Sequence, residues 1–155
     1  LLRFKQIYFF LRLPRIRMFS SSGFNRANAY RQVGAHSGVE NASPHALIQM
    51  LFEGLFQSLN AARGAMERGE IEEKGRHLGK AVRILQEGLA AGLDLDKGGE
   101  LAGNLKLLYD YSVKQLTHAN VHNDVGLVEE VIGVLQPVAQ GWKEIGPEGN
   151  TTAGA

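Results

Sequence analysis

Three stretches of this chain repeat apolar residues at spacings of three and four, a rhythm that fits helices and little else. Leu78, Val82, Leu85, Leu89 and Leu93 make the first series. Leu101, Leu105, Leu108, Ser112, Leu116 and Ala119 make the second, and Val125, Val128, Ile132, Leu135, Ala139 and Trp142 the third. A helix advances about 100° per residue, so each series draws one stripe along one face. No stretch sustains the alternation that a half-buried strand needs. A fourth helix precedes these: Ser43 suits an N-cap, and Pro44 suits the first turn, where a missing N–H costs nothing.

The predicted helices cover about 44–68, 70–93, 100–121 and 125–145. Gly69 stops the first. Glu70, Glu72 and Glu73 open the second, near the positive end of its dipole. Residues 94–99 turn the chain, Asn123 or Asp124 caps the fourth helix, and Gly146-Pro147 forbids its continuation. Connections this short make consecutive helices antiparallel. The expected fold is therefore all-α: an up-down-up-down four-helix bundle over 44–146 with a short N-terminal cap segment at 18–43. Pro137 should kink the last helix. The small, polar residues 147–155 are expected to be disordered.

Charge is uneven along the chain. Residues 1–17 hold Arg3, Lys5, Arg12, Arg15 and Arg17 with no acid, and the remainder has 12 basic against 16 acidic residues. A body of that sign lacks the basic stripe that nucleic acid requires. The early apolar run (Phe4, Ile7, Tyr8, Phe9, Phe10, Leu11) is broken by Arg12 and Pro14 and is far shorter than the roughly 20 residues of a membrane span. The first methionine is Met18, and residues 1–17 are read as a non-native upstream extension. There is no cysteine, which excludes disulfides and thiolate metal sites.

The helices carry more apolar surface than one core stripe needs. On the second, Ile84, Gly88, Ala91 and Leu95 fall together on a strip about a quarter turn or more from the Leu78/Leu85/Leu89 line. On the third, Leu107 and Tyr111 form an i, i+4 pair away from the Leu101/Leu105/Leu108 seam. Phe52 and Phe56 lie at the edge of the first helix's arc. In the fourth, Leu127, Val131, Val134, Val138 and Ile145 widen the arc to roughly 180°. Two readings compete: residues that close the edges of a generous core, or a groove that receives an apolar helix from a partner. Gly88 and Ala91 beside larger residues favour the groove, because they let another helix come close. Upstream, Phe24 and Tyr30 sit in a Ser/Asn/Gly-rich leader, able to lay aromatic rings over such a groove as a detachable cover.

Four stretches in order resemble one family. NAYRQV (28–33), ASPHALIQMLFEG (42–54), LDLDKGGELAGNLKLLYDY (93–111) and HANVHND (118–124), the last leading into a helix that ends in Trp142, are similar to the FliS flagellar export chaperones. The resemblance covers about residues 18–146. It implies a cytosolic chaperone that binds the disordered C-terminal segment of flagellin, prevents premature polymerisation and delivers the subunit to the flagellar type III export apparatus. It also implies a leader, here Phe24 and Tyr30, that covers part of the hydrophobic site. The groove lining read from the wheel would be Phe52, Phe56, Ile84, Gly88, Ala91, Leu95, Leu107 and Tyr111. Pro137 departs from the uninterrupted last helix that the resemblance leads one to expect.

Enzyme and metal chemistry find little support. His118 and His122 stand at i, i+4, but only Asp124 is near as a third ligand. Asp94, Asp96 and Glu100 fail as a calcium loop, because Gly98 and Leu105 stand where ligands are needed. No nucleophile elbow, phosphate loop or dinucleotide fingerprint occurs. No cofactor is expected. The rival to a chaperone is a bundle that self-associates through the same surplus strips, and both a monomer and a homodimer are compatible with the sequence.

Overall fold

Ser43 begins the ordered architecture: its Oγ accepts a hydrogen bond from the Ala46 amide at 3.1 Å, and Pro44 takes the first helical position. The structure is a computed structural model and describes residues 42–145. In those residues α1 spans Pro44–Glu67, α2 Ile71–Arg83, α3 Leu95–His122 and α4 Val125–Ile145. α2 runs on into a π-helical segment, Ile84–Ala90. There are no strands among the described residues. Phe24, Tyr30 and the expected extension, leader and tail lie outside them.

The junctions follow from their residues. α1 closes at Gly69, in the left-handed region at φ 72°, with Glu70 N–H donating to the Ala65 carbonyl at 2.9 Å. α2 has Glu72 and Glu73 in its first turn, complementing the positive end of the helix dipole. In the π segment the Ala91 amide reaches the Gln86 carbonyl, five residues back, at 3.1 Å. Asp94 caps α3, its Oδ1 accepting from the Asp96 and Lys97 amides at 3.1 and 3.0 Å. Gly99, at φ 56° and ψ −144°, breaks the helix after one turn. The main rod therefore starts at Glu100, as the sequence reading had it. Asn123, also left-handed, ends α3. Asp94→Ala is expected to cost about 0.5–2 kcal/mol of stability, read as a shift in the thermal unfolding midpoint.

α1 packs against α2 and α4, and α3 packs against α4 and against α2 with its π extension. One core results, to which Leu51, Leu55 and Leu59 of α1, Leu78 and Leu85, Leu116 of α3, and Val128 and Leu135 of α4 contribute, all sealed from solvent. Two ties join element ends. The Lys74 ammonium, buried near the start of α2, donates to the Asn120 carbonyl near the end of α3 at 2.9 Å. At the start of α1, His45 Nε2 donates to the Trp142 carbonyl at 2.8 Å, and Trp142 Nε1 donates to the His45 carbonyl at 3.0 Å.

α4 continues unbroken through Pro137. The proline lies on the exposed side, where water can satisfy the Gly133 carbonyl that loses its helical partner.

Candidate functional site

Ile84 and Gly88, placed by helical arithmetic on an outer strip, are buried in the core. An added Cβ on Gly88 would come within 3.0 Å of Leu51 Cδ1, so the close approach that this glycine permits is to α1. Two causes displace the strip. The second helix is flanked by both α1 and α3, which widens its buried arc. Its π winding also advances less than 100° per residue, so phases drift after Ile84. Phe52 is buried too, and Phe56 is half-buried against the core. Val131, expected beside the core stripe, is fully inside it.

The remaining residues of the proposed lining are exposed. Among the described residues the large exposed apolar side chains are Ile71, Leu95, Leu107, Tyr111 and Val121, and four of these five belong to α3. Leu107 is 67% exposed and Val121 73%, so neither side chain closes an edge of the core. Ala91, just beyond the π segment, is exposed as well. Val121 and Ile71 escaped the sequence reading. The signal for Val121 was present: Leu107, Tyr111, Lys114, His118 and Val121 follow one another at four, three, four, three, which is a second stripe along α3. All five are exposed.

Tyr111 is held in place from α4. Its hydroxyl donates to one Glu130 carboxylate oxygen, and Gln115 Nε2 donates to the other at 3.3 Å. Hydrogen bonding to Glu130, reinforced by partial desolvation, raises the tyrosine pKa above its ordinary value, so the hydroxyl remains a donor. The ring is therefore fixed at the α3/α4 border while 41% of the residue faces solvent. A fixed aromatic ring loses little entropy when a partner covers it.

Elsewhere, a small apolar cavity lies between Phe52, Leu89, Leu105, Tyr109 and Trp142. Burial raises the Tyr109 pKa, keeping that phenol neutral. His118 and His122 stack at 6.0 Å between ring centroids. No group of three or more His, Asp or Glu side chains suited to a metal ion occurs among the described residues. No described helix is long and apolar enough to cross a membrane.

The family model of "Flagellar protein FliS" matches residues 26–149. The flagellar secretion chaperone FliS of Salmonella typhimurium is 47% identical over 131 residues, covering 84% of this chain and 95% of that protein. FliSB of Pseudomonas aeruginosa, also a flagellar secretion chaperone, is 48% identical over 116 residues (75% and 91%). The Bacillus subtilis FliS is 32% identical over 120 residues (77% and 85%). With most of its length matched at such identities, this chain, which is not an enzyme, is a member of the FliS family of flagellar secretion chaperones.

Proposed function

We propose that the chain binds the disordered C-terminal segment of flagellin in the bacterial cytosol, keeps it from polymerising and hands it to the flagellar type III export apparatus. One observation carries the reading: among the described residues, four of the five exposed large apolar side chains belong to α3. A disordered client loses entropy when it folds on binding, and burying large apolar groups at ~1.5–3 kcal/mol each offsets that loss. The names of the relatives, flagellar secretion chaperones, support a client exported by the flagellar apparatus. Residues 24 and 30 of the leader act as a cover that the client displaces.

An antiparallel up-down-up-down course underlies this proposal. It is supported by the two end-to-end ties, His45 with Trp142 and Lys74 with Asn120, each joining the start of one helix to the end of its neighbour.

Isothermal titration of the full chain with a peptide of the C-terminal segment of the cognate flagellin tests the function. Roughly equimolar binding with a large negative heat-capacity change is expected. Leu107→Asp should weaken it about 10–100-fold, the equivalent of one lost apolar anchor, without lowering stability appreciably, because the residue is exposed. Absence of heat, combined with a dimer in light scattering that Leu107→Asp dissolves, would instead make the stripe a self-association surface.

A further inference from the structure

The exposed stripe of α3 is not uniformly apolar. Leu107 and Tyr111 form one apolar end and Val121 the other, with Lys114 and His118 between them on the same face. Three other surface cations have a carboxylate partner: Arg68 bonds Glu70, Arg76 bonds Glu73, and Lys106 bonds Asp110. Lys114 makes no ion pair among the described residues. Asp110, one turn before it, is bonded by Lys106 at 2.7 Å, and Glu130 of α4 is engaged by Tyr111 and Gln115. His118 stacks on His122 and leaves its ring exposed.

Resting on the client-binding reading above, we infer that Lys114, aided by His118, sets the register of the bound helix by demanding a carboxylate from the client at the middle of its apolar seam. A four-three-four-three stripe is the spacing at which one helix lies along another, and a polar position inside such a seam fixes alignment at some cost in affinity. From Leu107 to Val121 the stripe is about 21 Å long at 1.5 Å rise per residue, so the occupant is an amphipathic helix of about four turns. Its apolar residues face Leu107, Tyr111 and Val121, and its acid faces Lys114. The leader does not have this composition. Residues 18–41 contain Arg26 and Arg31 against the single acid Glu40, so the leader can match the apolar end but repels the basic centre. A client with a central acid therefore gains over the leader where the two compete.

The test uses the full chain and the flagellin C-terminal peptide. Lys114→Glu is expected to weaken binding about tenfold or more, and one Asp or Glu→Lys change in the peptide is expected to restore it. Wild-type affinity should fall as sodium chloride rises, and Lys114→Ala should flatten that dependence. If Lys114→Glu binds as the wild type does while Leu107→Asp loses binding, the register role is wrong and the apolar face still receives the client. If both variants bind normally, or the wild type binds no peptide, the reading of this face fails and the register role with it.

Discussion

Replacing Trp142 with alanine is expected to remove about 3–5 kcal/mol of unfolding free energy, the largest effect of any single substitution considered for this chain. The indole is 3% exposed in the last turn of α4 and stacks on the His45 ring, with centroids 4.8 Å apart and planes 18° from parallel. Alanine would leave a cavity against Ile48, Phe52 and Leu89, and would also strip the His45 carbonyl of its indole donor. Trp142→Phe separates the two contributions. It keeps most of the ring and loses the N–H, and should cost nearer 0.5–1.5 kcal/mol beyond any loss of contact. Urea denaturation followed by far-ultraviolet circular dichroism measures both variants. A loss below about 1 kcal/mol for the alanine variant would mean that the seam between the start of α1 and the end of α4 is not a structural anchor.

The second large effect concerns the contact of the π segment with α1. Leu51→Ala should cost about 2–5 kcal/mol, because Leu51 is fully enclosed. Gly88→Leu should cost about 1–3 kcal/mol by overpacking, although leucine is a better helix former than glycine. A Cβ at position 88 already meets Leu51 Cδ1 and Cδ2 at 3.0 and 3.1 Å, and a longer side chain has nowhere to go while leucine occupies position 51. In the double variant the new side chain fills the space vacated by the old one. Its destabilisation should fall short of the sum of the singles by about 0.5–3 kcal/mol. Strict additivity in denaturant unfolding would show that the two positions do not share a contact.

The same pair of residues explains why the candidate site was only partly legible. Leu107 and Tyr111 were correctly set apart from the α3 core, because that face follows regular helical arithmetic after Gly99. Leu95 and Ala91 are exposed as well, but they flank the junction and are separated from the main α3 rod by the Gly99 break. Ile84 and Gly88 were misplaced because an apolar residue at the edge of a wheel gives no sign of how many neighbours its helix has. Val121 was missed because it stands between Asn120 and His122 at a helix end, where a local window is dominated by polar residues. Its membership in a stripe shows only when positions 14 residues apart are read together.

Local chemistry by itself determined the helix count, their ends and most of the core. Caps, left-handed stops and apolar spacing act within a few residues of chain: Ser43, Gly69, Asp94, Gly99 and Asn123 stand where their backbone conformations or side-chain oxygens are needed. Tertiary structure alone decided which apolar strip became interior and which stayed open. Burial depends on what lies across from a side chain, and that partner can be 97 residues away, as Trp142 is from His45. α1 came to rest on Gly88 and closed one strip. Leu107, Tyr111 and Val121 of α3 stayed exposed, and that strip is the one proposed to receive a client.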